Sequence, residues 1–324
     1  MIEKSRLTLK GARVLVTGAS GFMGHSLVPI LRARGADVVT PSRQDYDLLE
    51  QSAVRAMFVA IKPEIVVHLA GLVGGILANQ KAPAEYSHQN LLMGTLMAHE
   101  SYAAGVRRYA TLIGGCSYPQ KAPSPIAETS LWDGYPQPES APYSLAKRML
   151  VVLSQAYRAQ YGFDSIVLVP GNVYGPHDNF DLENSHVIPA LIRKFDLAAA
   201  EGQKSVIAWG SGKPTRDFVY VDDACAGIAD ALENYSGPEI VNISSGSAIT
   251  IRELVETVAE TVGYTGEVVW DSTKPDGQME KGFDVTRMRE WLKIECPTTL
   301  RDGLRRTYAW YKTRPSEVRM VTAL

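Results

Sequence analysis

Arg13-Val14-Leu15-Val16-Thr17-Gly18-Ala19-Ser20-Gly21-Phe22-Met23-Gly24 decides the fold. Its first five residues are apolar and β-branched, the pattern of a short buried strand. Three glycines follow in the spacing G-x-x-G-x-x-G rather than the commoner G-x-G-x-x-G, and then His25-Ser26-Leu27-Val28-Pro29-Ile30-Leu31-Arg32-Ala33-Arg34-Gly35 carries a helical pattern. Pro29 is expected in the first turns of that helix, where its missing N–H is tolerated. A plain strand–helix turn rarely needs three glycines. Here they permit a tight turn and a close backbone approach, and the free N–H groups of the helix start can receive a pyrophosphate. Gly18, Ser20, Gly21, Phe22, Met23 and Gly24 are therefore the expected cofactor cradle.

Working outward, Ala36 to Thr40 reads as the next strand. A site for NAD usually ends this strand in Asp or Glu, which binds the ribose hydroxyl. Thr40-Pro41-Ser42-Arg43 stands there instead, with no acid before Asp45. Arg43 suits a 2′-phosphate, so the expected cofactor is NADP(H), with NAD(H) possible. Helical patterns at 54–61 and 90–104 alternate with strand patterns at 65–70, 108–113 and 165–169, and Gly71 turns the chain after the third strand. This alternation predicts an α/β fold, a Rossmann-type doubly wound parallel sheet with helices on both faces and ligands at the carboxyl ends of its strands.

After Pro170 the pattern changes. A turn-rich run leads to a helix begun near His186, strands at 206–209 and 217–221, a helix from Ala224 capped by Asp222-Asp223, and helices at 251–262 and 299–311. The expected organisation is a dinucleotide-binding domain over 11–174 plus about 211–244. A smaller C-terminal α/β lobe over 175–210 and 245–314 binds substrate, and 1–10 and 315–324 are tails.

The chemistry is expected between Thr111 and Lys147. Tyr143 and Lys147 stand four residues apart, which places both on one face of a helix. An ammonium beside a phenol lowers the phenol's pKa and makes the pair an acid/base candidate. The net charge of −2 leaves no electrostatic footprint for nucleic acid or an anionic membrane. No apolar run reaches the length of a membrane span. Three cysteines in no metal-binding spacing argue against both a disulfide framework and a metal site, and place the chain in a reducing cytoplasm.

Further stretches add to these: Val73-Gly74-Gly75-Ile76, Ala78-Asn79, Cys116-x-Tyr118-Pro119, Pro142-Tyr143-x-x-Ala146-Lys147, Tyr174-Gly175-Pro176-His177-Asp178-Asn179-Phe180, Asn184-Ser185-His186-Val187-Ile188-Pro189-Ala190-Leu191 and Lys274-Pro275-Asp276-Gly277. Together they resemble the extended short-chain dehydrogenase/reductases, the NAD-dependent epimerase/dehydratases, over roughly residues 11–312. The likeness is greatest to those members that epimerise C3 and C5 and reduce C4 of a GDP-4-keto-6-deoxy-hexose with NADP(H). The resemblance implies that Tyr143 protonates the C4 oxygen and that Lys147 holds the nicotinamide ribose. It implies that Cys116 and His186 exchange protons at C3 and C5, where a neighbouring ketone acidifies the C–H bonds. Leu69, Ala70, Gly71, Pro170, Asn172, Val173 and His186 would line the cofactor. Asn184, Arg193, Lys194, Trp209, Arg216, Asp276 and Lys281 would face a GDP-linked sugar, and the enzyme would be a homodimer.

One position departs from the family. A Ser or Thr that hydrogen-bonds the reacting carbonyl is replaced by Gly114. Two other readings follow: a nucleotide-sugar epimerase with tightly bound NAD(P) and transient C4 oxidation, or a catalytically decayed cofactor-binding protein. Retention of Cys116, Tyr143, Lys147 and His186 argues against decay.

Overall fold

β1 (Arg13–Thr17) is buried at every position after Arg13. Val14, Leu15 and Val16 are fully sequestered, each contributing roughly 1.5–3 kcal/mol of hydrophobic stabilisation. The chain is seen here as a computed structural model that describes residues 7–181, 185–274 and 276–314. After β1 come α1 (Phe22–Ala33), β2 (Asp37–Val39), α2 (Gln51–Ile61), β3 (Ile65–His68), α3 (Ile76–Lys81), α4 (Pro83–Ala103), β4 (Arg108–Leu112), α5 (Ala141–Tyr161) and β5 (Ser165–Pro170). Then follow β6 (Asn172–Tyr174), α6 (Val187–Ala200), β7 (Ser205–Trp209), β8 (Thr215–Tyr220), α7 (Val221–Asn234) and β9 (Val241–Ile243). β10 (Ala248–Thr250), α8 (Ile251–Val262), β11 (Glu267–Asp271), β12 (Glu280–Lys281) and α9 (Leu300–Lys312) complete the order.

The main sheet runs β2-β1-β3-β4-β5-β9, parallel throughout. Strand order reverses between β1 and β3, and the crevice at such a switch point is where ligands of open α/β sheets bind. Gly18 lies there in the left-handed region, φ +69°, so close to β3 that a Cβ would sit 2.6 Å from the Ala70 nitrogen. Only glycine satisfies both demands.

Several details differ from the sequence reading: α4 begins at Pro83 and not near Asn90, β6 forms within the run read as turns, and β9 falls where no strand is expected. The glycine turn delivers α1 at Phe22, so Pro29 lies inside the helix and not in its first turns. It faces solvent, and its missing N–H leaves the His25 carbonyl without an intrahelical donor. α7 starts at Val221, so Asp222 and Asp223 sit in its first turn instead of capping it. There their charge complements the helix dipole. Asp222 accepts from Ser26 Oγ at 2.7 Å, tying α7 to α1, and Asp223 accepts from the Thr298 backbone at 2.8 Å.

The remaining strands form two small sheets. One is β10-β8-β12 with β6 paired to β8, and the other is β11 with β7. Lys281 of β12 is the register partner of Arg216 of β8. One apolar cluster joins strand residues such as Val16 and Leu168 to Ile188 and Phe195 of α6 and Val258 of α8.

Candidate active site

β4 ends at Leu112, and the chain passes through Gly114 into a single 3₁₀ turn, Gly115–Ser117. α5 begins at Ala141 with Pro142 in its first turn, where proline costs no hydrogen bond. Tyr143 and Lys147 therefore lie on one face of that helix, and both are buried. α5 also grips the Cys116 turn directly. Ser144 Oγ donates to the Cys116 carbonyl at 3.0 Å, and Arg148 Nε donates to the Ser117 carbonyl at 2.6 Å. A Cβ on Gly114 would lie 3.2 Å from Cys116 Sγ and 3.8 Å from Tyr143 Oη, so the thiol and the phenol meet over this glycine. The Tyr86 ring meets Tyr143 edge-on at 6.3 Å.

The electrostatics correct one expectation. Burial pushes the Tyr143 phenol above its ordinary range, and Cys116 and Tyr86 push it further. Lys147, whose ammonium lies 5.9 Å from the ring centre, does not lower it. Desolvation dominates, and the phenol stays protonated at neutral pH, ready to donate. Burial pushes Lys147 down to about 8, with Cys116 acting in the other direction. His68, on the neighbouring strand β3, is pushed down to about 3 by burial and then by Lys147. Its Nδ1 lies 2.8 Å from Thr17 Oγ1.

The cofactor positions gather at the strand ends. Gly21 is the N-cap of α1, and that helix has neither a side-chain cap nor an acid in its first turn. Its free N–H groups fit a pyrophosphate. Leu69 and Ala70 lie against Gly18. A Cβ on Gly71 would lie 2.9 Å from Asn90 Oδ1 and 3.4 Å from Lys147 Nζ, so these three also converge. Pro170 ends β5, Val173 lies in β6, and Asn172 Nδ2 donates to the Asp217 carbonyl at 2.7 Å. Past β2, Ser42 donates from its N and Oγ to Asp45 at 2.8 and 2.7 Å. Asp45 is thus folded into its own turn, and Arg43 stands exposed at the strand end.

The other predicted residues divide. His186 is the N-cap of α6. It is open to solvent, yet enough protein surrounds the ring for desolvation to lower its pKa. No hydrogen bond among the described residues ties it to the Cys116 cluster. Asn184 lies outside the described residues. Trp209 is 67% exposed, with Lys274 over its ring at 5.7 Å. Arg193 Nη1 donates to the Phe180 carbonyl at 3.1 Å, and Lys194 Nζ to the Ile207 carbonyl at 2.6 Å. The Asp276 carboxylate accepts from Ser211 N and Oγ at 2.6 and 2.8 Å. Arg216 spends Nη1 on the Thr215 and Gln278 carbonyls, both at 2.7 Å.

Two residues near the site, Asn90 and Tyr86, carry no motif that exposes them in the sequence. Asn90 is buried in α4, donates to the Leu72 and Tyr86 carbonyls, and leaves Oδ1 buried without a partner. Tyr86 packs on Tyr143. Asp178 has its Oδ2 buried without a partner, and burial pushes its carboxyl up to about 7. For Asn90 the only sequence signal is an amide amid the apolar positions of a helix. No cluster of three potential metal ligands occurs among the described residues.

Comparison with known proteins agrees with this geometry. The family model described as the NAD dependent epimerase/dehydratase family matches residues 14–244. GDP-L-fucose synthase 1 of Arabidopsis thaliana is 41% identical over 310 residues, 95% of this chain and 96% of its own. A crystal structure of a GDP-L-fucose synthetase from Naegleria fowleri bound to NADP superposes with a TM-score of 0.89 at 26% identity, covering 99% of this chain and all of that one. A GDP-6-OMe-4-keto-L-xylo-heptose reductase from C. jejuni superposes with a TM-score of 0.88 at 29% identity, covering 95% of this chain and 99% of its own. With the glycine turn, the strand order and the Tyr143–Lys147 helix all in place, the chain belongs to the NAD dependent epimerase/dehydratase family.

Proposed function

We propose that this NAD(P)-dependent oxidoreductase/epimerase is a GDP-L-fucose synthase. It inverts C3 and C5 of a GDP-4-keto-6-deoxy-hexose and reduces C4 with NADP(H). The observation that carries the reading is the meeting of Cys116 and Tyr143 over Gly114. One group suited to carbon-bound protons and one suited to a carbonyl oxygen face the same point.

In this reading Tyr143 donates its phenolic proton to the C4 oxygen. Its raised pKa keeps that proton available. Lys147 holds the nicotinamide ribose and supplies positive charge beside the forming alkoxide. NADPH, when bound, supplies the hydride. Cys116 and His186 exchange the protons alpha to the ketone, one on each face of the sugar. Arg216 binds the diphosphate and Trp209 offers its exposed ring to the GDP-sugar, while Asn184 is assigned to the sugar by the sequence resemblance. Arg193, Lys194 and Asp276 bond the protein's own chain and hold the loops that shape the site.

The protein works as a cytoplasmic homodimer through α4 and α5, whose Leu91, Met149, Val152 and Tyr161 are exposed and apolar. No helix among the described residues is long and apolar enough to cross a membrane.

The test is turnover of GDP-4-keto-6-deoxy-D-mannose in D₂O, followed by NADPH absorbance and product mass. Stoichiometric NADPH loss with deuterium at C3 and C5 is expected. Deuterium entry into a 4-hydroxy sugar without net NADPH loss would instead indicate an epimerase with transient C4 oxidation. Absence of both would leave a protein that only binds cofactor.

A further inference from the structure

Glu280 to Asp284 is fastened across the Cys116 turn from the C-terminal part of the chain. Gly282 N donates to Ser124 Oγ at 3.0 Å, Ile126 N to the Gly282 carbonyl at 2.8 Å, and Asp284 N to the Ile126 carbonyl at 2.9 Å. The Phe283 ring lies directly on Gly115, where a Cβ would fall 2.4 Å from its Cζ. Phe283 is buried and packs against Tyr118 at 6.2 Å. In extended chain, residues two apart point to the same side. With Phe283 seated on the residue before Cys116, Lys281 is aimed at the same turn.

The surroundings of Lys281 agree with that placement. Burial lowers its ammonium's pKa, Cys116 raises it, and Arg216 lowers it. The Arg216 backbone is paired with it on β8. No carboxylate among the described residues forms an ion pair with Lys281. The charged and titratable groups about the sulfur are thus Tyr143 and Lys147 from α5 and Lys281 from β12, with Arg216 of β8 behind Lys281. Lys147 also serves the hydride site. Among these groups Lys281 has one attractive neighbour, the thiol, and one repulsive neighbour, Arg216.

We propose that Lys281 is the positioning residue of Cys116, facing the thiol from β12 and holding the sulfur's negative charge while Cys116 acts as a base. This rests on the function proposed above and moves Lys281 from sugar binding to proton transfer. In the step, the thiolate takes the proton alpha to the ketone. The C–H bond breaks, an S–H bond forms, and the electron pair passes to the enolate oxygen, while the ammonium stays protonated.

The experiment is alkylation of the full-length protein by iodoacetamide at neutral pH, read for each cysteine by peptide mass. Iodoacetamide is uncharged, so removing a lysine does not alter its approach. Lys281→Met should slow modification of Cys116 by about tenfold, because the thiolate is the reactive form and a neighbouring ammonium favours it. Lys281→Arg should restore it. Burial pushes the Cys296 thiol up to about 12, so it should react slowly in every variant and report only on unfolding. Deuterium entry at C3 and C5 should fall with the Cys116 rate in Lys281→Met, while NADPH binding is retained. An unchanged Cys116 modification rate in folded Lys281→Met overturns the proposal. Should that variant not fold, Lys281→Gln is read in the same way. Alkylation needs no sugar, so failure to turn over a GDP-keto sugar would count against the function and not against this assignment.

Discussion

Gly114 approaches Tyr143 so closely that a Cβ on it would lie 3.8 Å from the phenolic oxygen. A hydroxyl carried there could reach the same ketone oxygen as Tyr143. One preorganised donor to a developing oxyanion is worth on the order of 10²–10³ in rate. The same Cβ would press on Cys116 Sγ at 3.2 Å, so the thiol would have to move. Gly114→Ser should therefore speed NADPH oxidation with GDP-4-keto-6-deoxy-D-mannose, by up to about 10², and slow deuterium entry at C3 and C5. Stopped-flow absorbance and product mass read the two separately. Equal changes in both would mean that Gly114 affects only binding.

The Tyr143–Lys147 pair is expected to set a pH limit on reduction. Lys147 is pushed down to about 8, so its charge is intact below that pH and is lost as pH rises through it. The kcat/KM for reduction should be flat at neutral pH and fall above pH 8 by about tenfold per unit, since it reports groups of the free enzyme. Tyr143→Phe should stop reduction over the whole range while leaving deuterium exchange into a 4-keto substrate measurable. A profile still flat at pH 10 would remove Lys147 from the step.

Arg43 is expected to decide between the two nicotinamide cofactors. It stands exposed beyond β2, in a turn that Asp45 closes on Ser42. A guanidinium–phosphate contact is charge-assisted and can be bidentate. Arg43→Ala should weaken NADPH binding by roughly 10- to 100-fold and leave NADH binding unchanged, as titration calorimetry would show. Equal affinity for both cofactors in the unsubstituted protein would rule this contact out.

Met149 and Val152 lie three apart on α5 and expose 49% and 41% of their surface, which makes them neighbours on one helix face. Val152→Glu would place a charge at the centre of the proposed homodimer contact. Sedimentation velocity should show the dimer converted to monomer at micromolar concentration, with the far-UV spectrum unchanged. A variant that sediments as the unsubstituted protein does would move the contact elsewhere.

The sequence by itself determined five of the six strands of the main sheet, while β9, three residues long, carries too little pattern to be read. Short buried strands, the Gly18–Gly24 turn and amphipathic helices are local patterns, because each element must bury one face whatever its neighbours. The same holds for Tyr143 and Lys147, since a spacing of four on a helix already shares a face. What the sequence could not carry was the sign of the Tyr143 shift. A lysine four residues away suggested a lowered phenol, but burial under α4 raises it, and burial is a property of the assembled layers. Nor could it place Asn90 and Tyr86 beside the site, 53 and more residues before Tyr143 along the chain, or bring Lys281 and Phe283 to Cys116. Those contacts exist only because β12 pairs with β8 and Phe283 seats on Gly115, which are long-range pairings that no local periodicity encodes.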